Sequence, residues 1–314
     1  MRVAILDNVH PIISQKLIER GATVDLLYTT SLEEFKQIVH QYEGIILRSR
    51  LKMQEELLQL ASNLQFIGRP GAGLENIDLD FCKKNKIEVF RSPEGNMDAV
   101  GEHILGMLFT LFNNINKAEV EVKNGLWLRE ENRGIELKTK TVGIIGYGYM
   151  GSTFAKKLSG LGVKVIAYDK YKKGFSNQYV TEVSLEQLQQ ETDVLSIHTP
   201  LTTETINLVD YNFIEKFKKN IYIINSARGK SLVTADLVKQ MKKGKVLGAC
   251  LDVLEYESSS FEFLDRNNMP APLVYLLQSP KAIITPHIAG WTHEAKYKMG
   301  KVLIDKILDR FLIS

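Results

Sequence analysis

Short apolar runs of about five residues recur along this chain, separated by helix-like stretches of about ten. Through the first 95 residues the runs are RVAILD, TVDLLY, GIILRS, LQFIG and IEVFRS, and between them stand PIISQKLIER, LEEFKQIVHQY, MQEELLQLA and DLDFCKKN. This alternation is the signature of repeated βαβ units and predicts a parallel sheet. From Met97 to about Lys123 the pattern becomes one long helical segment without proline, followed by the polar connection GLWLREENRGIELK. A second alternating series begins at Lys140: KTVGIIG, VKVIAYD, TDVLSIH, IYIINSA, KVLGACLDV and AIITPH. Six strands with helices between them suffice for a complete doubly wound sheet. The tail THEAKYKMGKVLIDKILDRFL is again helical, and no internal repeat or low-complexity tract is present, which excludes a solenoid.

Composition sharpens this picture in three ways. A chain of 314 residues exceeds the roughly 250 to 300 at which single cores stop growing, so two domains are expected. Forty Lys+Arg are interspersed with 37 Asp+Glu, so no basic stripe argues for nucleic acid or for a membrane surface, and neither partner is expected. The two cysteines, Cys82 and Cys250, have no metal-ligand or CxxC spacing, so neither a disulfide framework nor a metal site is expected. The opening MRVAILDNVH places Asp7 and Asn8 where a signal peptide would be apolar, and the longest apolar stretch, near ILGMLFTLF, falls short of the about 18 to 20 residues of a membrane helix. A cytoplasmic location is the expectation.

The segment VGIIGYGYMGSTFAKKLSGLGVKVIAYDK carries the first chemistry. Gly146, Gly148 and Gly151, with Tyr147, Tyr149 and Met150 between them, form GxGxxG after a strand and at the start of a helix. There the first glycine permits a tight turn, the second lets the backbone approach a pyrophosphate, and the third lets helix and strand pack closely. The helix start offers unpaired N–H groups to phosphate. Asp169, eighteen residues past Gly151 and at the end of the next strand, is placed to accept hydrogen bonds from a ribose. Its charge favours NAD over NADP, a preference that Lys170, Lys172 and Lys173 weaken slightly.

Later strand ends each supply one reactive group: NSARG with Arg228, LDVLEYE with Asp252 and Glu257, and TPHIAGW with His287. In open α/β sheets ligands bind beyond the carboxyl ends of strands, so these groups are expected to converge. In order and spacing they resemble the D-isomer-specific 2-hydroxyacid dehydrogenase family, over essentially the whole chain. The resemblance implies an α/β fold of two doubly wound parallel-sheet domains, a Rossmann NAD-binding domain (97–286) inserted in a flavodoxin-like substrate domain (1–96, with 287–314 returning to it), and a crevice between them.

It implies chemistry as well: hydride passes between C2 of a 2-hydroxy acid and the nicotinamide, and the hydroxyl proton goes to a base of near-neutral pKa, the natural task of a histidine. His287 matches the acid/base, Glu257 the carboxylate that holds its imidazole, and Arg228 the planar fork that clamps the substrate carboxylate. Asp252 matches an aspartate near the nicotinamide carboxamide; the turn His198, Thr199, Pro200 and Ala227 are placed beside the cofactor. RPGAGLENID resembles the loop whose N–H groups, around Gly71, Ala72 and Gly73, bind the substrate carboxylate. Where the family commonly has a proline beside its glutamate, this chain has EYESSSFEFLDRNNMPAPLVYLLQ. Glu255 is therefore the competing glutamate, and the insertion at 255–280 is a candidate lid.

Arg48 and Ser49 after the third strand, Arg69 before the carboxylate loop, and Arg129 in the polar connection resemble the phosphate-binding positions of the family's phosphoglycerate-oxidising members. Each charge-assisted bond to a phosphate contributes about 1.5 to 3 kcal/mol. The expected reaction is therefore oxidation of 3-phosphoglycerate to 3-phosphohydroxypyruvate, the entry step of serine synthesis, without the C-terminal regulatory domain that many such enzymes append. The alternatives are a glyoxylate or hydroxypyruvate reductase and, in another class, an NAD-sensing corepressor. Arg50 is read as a solvated cation. The helical segment from Met97, too broadly apolar for a solvated linker, resembles one that pairs two subunits, so a homodimer is expected.

Overall fold

The computed structural model describes residues 1–257 and 269–311. In chain order its elements begin β1 (Arg2–Ile5), α1 (Ile12–Glu19), β2 (Thr23–Leu26), α2 (Leu32–Ile38), β3 (Gly44–Ile46), α3 (Glu55–Leu58), β4 (Phe66–Arg69), α4 (Leu79–Lys84) and β5 (Glu88–Arg91). There follow α5 (Met97–Phe112), α6 (Ile115–Lys123), β6 (Thr141–Ile145), α7 (Tyr149–Leu158), β7 (Lys164–Tyr168), β8 (Thr181–Glu182), α8 (Leu185–Glu191) and β9 (Val194–Ile197). The chain continues through α9 (Tyr211–Glu215), β10 (Ile221–Asn225), α10 (Thr234–Lys242), β11 (Val246–Leu251), α11 (Ala271–Gln278), β12 (Ala282–Ile284) and α12 (His293–Arg310). These form two compact units: the first holds Met1–Met97 and the chain from Trp291 on, the second the described residues between Asp98 and Gly290. His287 thus belongs to the second unit.

The first unit is built on a parallel sheet in the order β2-β1-β3-β4-β5. Its strands are near-continuous apolar runs because both faces are covered. Val3, Ile5, Ile46 and Phe66 face Ile13 and Leu17 of α1 and Leu303, Ile304 and Ile307 of α12. The alternate residues Ala4, Leu6, Ile45, Leu47 and Ile67 face Phe35, Leu57 and Cys82. Helix α2 starts at Ser31 because Ser31 and Glu34 cap one another: Ser31 Oγ accepts from Glu34 N–H at 3.3 Å and Glu34 Oε2 from Ser31 N–H at 2.8 Å. The strand order reverses between β1 and β3, the switch point where ligands of such sheets bind.

The second unit is a parallel sheet in the order β12-β11-β10-β9-β6-β7-β8, the dinucleotide-binding order extended by β12, with its switch point between β6 and β9. Val142, Ile144, Val165 and Ile224 pack on Ile104 and Leu108 of α5 and Phe154 of α7, while Ile145, Ile166, Leu195 and Ile223 pack on Leu188, Ile214 and Leu237 of the other face. The expected fold class holds. The short β8 was not anticipated, since two residues leave no periodicity to detect.

The segment from Met97 to Lys123 is two helices and not one. Asn114, at φ 52°, stands in the left-handed region, which asparagine tolerates better than most residues and which ends the hydrogen-bond ladder of α5. Helix α6 beyond the break has no buried residue. Residues 258–268, within the candidate lid at 255–280, lie outside the described residues.

Candidate active site

In the second unit β6 runs directly into the glycine loop. Gly146 has φ +91°, and a Cβ there would lie 2.7 Å from the His198 carbonyl; a Cβ on Gly151 would lie 2.1 Å from the Gly146 carbonyl. Both positions therefore demand glycine. Gly148 instead faces open space, with nothing within 4 Å of where its Cβ would be, leaving room for a ligand to reach the backbone at the start of α7.

Tyr149 and Met150 open that helix, whereas Tyr147 is buried and stacked on Phe175 with ring centroids 4.5 Å apart. The Tyr147 N–H donates to Asp169 Oδ2 at 2.8 Å, and the N–H groups of Tyr171 and Lys172 both donate to Oδ1 at 2.9 Å. Partial burial opposes the charge of Asp169, but these three donors and the Lys172 ammonium hold its carboxyl below the usual range. Asp169 is thus an anion fixed at the end of β7, as ribose recognition requires.

At the adjoining strand ends, Thr199 Oγ1 and Ser226 Oγ are buried without a hydrogen-bond partner among the described residues. Orphaned hydroxyls beside a glycine loop fit a polar ligand that would complete them. His198 pairs with Ser196 Oγ at 2.8 Å, and desolvation pushes its imidazole down to about 4, so it is neutral at ordinary pH. The Pro200 carbonyl accepts from Thr205 Oγ1 at 2.6 Å, and the Ala227 N–H donates to Asn225 Oδ1 at 3.1 Å; these bonds set the two neighbouring turns. Together these residues fit NAD.

The reactive groups stand on the ends of β10, β11 and β12. Arg228 follows β10, with its Nη1 donating to the Ala227 carbonyl at 2.7 Å. Its neighbour Gly229 must be glycine because a Cβ there would lie 2.0 Å from the Leu254 carbonyl, in the loop that carries the glutamates. Of those two, Glu257 is the one set against His287, with Oε2 2.8 Å from Nδ1, and its Oε1 accepts from the Leu254 N–H at 2.5 Å. Glu255 accepts from the Thr234 N–H at 2.8 Å at the start of α10.

His287 has φ +55°, a conformation uncommon for a residue with a side chain, and the surroundings maintain it. Its N–H donates to the Asp252 and Thr285 carbonyls. The Asp252 carboxylate, 1% exposed, accepts from Thr285 Oγ1 at 2.6 Å and from the Ile288 and Ala289 N–H groups at 2.8 and 2.9 Å. Asp252 is therefore the anchor of the His287 turn, a task its placement at the nicotinamide did not anticipate. His103, also unanticipated, reaches Thr285 Oγ1 at 3.0 Å.

In the first unit Arg48 follows β3, and its N–H donates to Asp7 Oδ2 at 2.5 Å. Its carbonyl accepts from Arg69 Nε at 3.0 Å and Asn76 Nδ2 at 2.9 Å. Ser49 is half-buried beside it. The Arg69 guanidinium lies over Gly71, whose φ is +150° and whose Cβ would fall 2.8 Å from Nη1. Gly71 gives its own N–H to Ser92 Oγ at 3.2 Å, whereas those of Ala72 and Gly73 make no hydrogen bond among the described residues. The structure thus brings Arg48, Arg69 and the 71–73 turn together.

It corrects Arg50, which is not a solvated cation: its guanidinium donates to the carbonyls of Leu6, Leu27 and Thr30 at 2.5 to 3.0 Å. Arg129 is exposed on the loop after α6, in the second unit, whereas Arg48 and Arg69 belong to the first. The described residues contain no cluster of three His, Cys, Asp or Glu able to hold a metal.

A glycine turn at a switch point, a carboxylate fixed at the end of the next strand and a histidine backed by a carboxylate define an NAD-binding α/β protein. The chain belongs to the D-isomer specific 2-hydroxyacid dehydrogenase family, whose NAD binding domain matches residues 105–289. It is 34% identical to the D-3-phosphoglycerate dehydrogenase of Archaeoglobus fulgidus over 98% of this chain, which spans only 57% of that relative's length. It is 33% identical to the hydroxypyruvate reductase of Thermotoga maritima, over 88% of this chain and 87% of that protein. The crystal structure of D-lactate dehydrogenase from Aquifex aeolicus, complexed with NAD and lactic acid, superposes with a TM-score of 0.84 at 29% identity, covering 99% of this chain and 95% of that one.

Proposed function

We propose that this protein interconverts 3-phosphoglycerate and 3-phosphohydroxypyruvate, with NAD as the hydride carrier. The observation that carries the reading is the pair His287 and Glu257, 2.8 Å apart. Oxidation removes the C2 hydrogen as hydride and the hydroxyl hydrogen as a proton. His287 takes that proton at Nε2, because Nδ1 is turned to Glu257, and the carboxylate stabilises the imidazolium so formed. Arg228 holds the substrate carboxylate and polarises the C2 oxygen with its planar fork. Bound NAD supplies the hydride acceptor.

Ala72 and Gly73 are the proposed backbone donors to the carboxylate. Arg48 and Arg69, with Ser49, are the proposed ligands of the phosphate, and Arg129 is assigned to it by resemblance alone. The reductase reading, hydroxypyruvate or glyoxylate without the phosphate, is favoured by the Thermotoga maritima relative.

The protein is also proposed to be a homodimer. Ile115, Val120, Val122, Leu126, Trp127 and Leu128, on α6 and the chain just after it, are all exposed, more apolar surface than a short helix leaves uncovered without a partner. Among the described residues no helix is long and apolar enough to cross a membrane, and both thiols are buried and unpaired, which suits a reducing, cytoplasmic setting. NADH oxidation with phosphohydroxypyruvate, hydroxypyruvate and glyoxylate tests the enzyme reading, and failure with every 2-keto acid would leave the corepressor class.

A further inference from the structure

In the first unit the Arg48 guanidinium lies over the Trp291 ring, its carbon 4.2 Å from the ring centroid. Both partners are fixed at the backbone. Arg48 is tied through its N–H to Asp7 and through its carbonyl to Arg69 and Asn76. Asp7 lies 3.8 Å from Arg50, which is itself bound to the carbonyls of the β1 and β2 ends. Trp291 directly precedes Thr292, whose Oγ1 caps α12 by accepting from the Ala295 N–H at 3.0 Å, and α12 is anchored in the core through Met299, Leu303 and Ile307. Trp291 is 63% exposed, so filling the core does not explain it. A guanidinium lying over an aromatic face is held there by attraction to the ring's π-system and has that side shielded from water.

We propose that Trp291 is a positioning residue: a platform that fixes the plane of Arg48 so that its N–H edge meets a phosphate monoester on the substrate, and so sets the preference for phosphorylated over unphosphorylated acids. This rests on the assignment of Arg48 to the phosphate made above. The test is kcat and KM, measured separately, for phosphohydroxypyruvate and hydroxypyruvate in Trp291→Ala, Trp291→Phe, Arg48→Ala and the Arg48→Ala/Trp291→Ala double variant. Trp291→Ala should raise KM for phosphohydroxypyruvate about fivefold, the scale of a partly shielded cation–π contact, with kcat and the KM for hydroxypyruvate within about twofold. Trp291→Phe should restore most of the loss, and Trp291→Ala should add nothing once Arg48 is alanine. Equal effects on both substrates, a loss confined to kcat, or a full Trp291 effect in the absence of Arg48 would each overturn the proposal. If Arg48→Ala weakens both substrates equally, the phosphate assignment itself falls, a result distinct from an Arg48 that discriminates beside a Trp291 that does not.

Discussion

His287 is poised by a carboxylate it touches and by another that it does not. Glu257 faces its ring, while Asp252 holds the turn that carries it. His287→Ala is expected to lower kcat/KM by about 10² to 10⁴-fold while NADH binding, followed by fluorescence titration, stays near normal. Glu257→Gln keeps a hydrogen-bonding group but removes the charge that the proposed proton transfer draws on. Steady-state kcat for keto-acid reduction should fall about tenfold or more in Glu257→Gln, whereas Glu255→Gln should stay within about twofold of the wild type. An unchanged kcat in Glu257→Gln would contradict the pairing. At this scale the residue types were legible, since histidine, glutamate and arginine at strand ends point to proton transfer and carboxylate binding. The supports were not: the φ of His287, the carbonyl ligands of Arg50 and the ring beneath Arg48 all arise from contacts between residues far apart in the chain.

Elements were read well where periodicity is long and poorly where it is short. Of the twelve strands among the described residues, eleven correspond to apolar runs in the sequence, and β8, with two residues, had no such run. The break at Asn113 and Asn114 escaped notice because two asparagines are compatible with a helix surface as well as with a turn. The docking of α12 shows why tertiary constraints are hidden: Gly95, some two hundred residues earlier, approaches its backbone so closely that a Cβ would lie 2.4 Å from the Met299 nitrogen. Gly95→Ala must therefore shift α12 from its seat and should destabilise the protein by about 1 to 3 kcal/mol, the usual range for overpacking. Thermal unfolding would show a lowered Tm, and an unchanged Tm would mean that α12 is not held there.

For the whole molecule, two parallel sheets with separate cores place a switch point in each unit, and most of the residues singled out in the sequence stand just beyond strand ends of one sheet or the other. Arg129 is the exception, exposed on the loop after α6 within the same apolar stretch that is proposed to bind a second copy. Light scattering should therefore report a dimer for the wild type and a monomer when Val120 and Trp127 are both replaced by glutamate; a monomeric wild type would remove that role from α6. The central claim, an NAD-dependent dehydrogenase selective for a phosphorylated 2-hydroxy acid, is tested most directly by kcat/KM with NADH for phosphohydroxypyruvate against hydroxypyruvate. The arginine assignment predicts a preference of about tenfold or more for the phosphorylated acid, as one charge-assisted bond would give; equal values, or a preference for hydroxypyruvate, would contradict it.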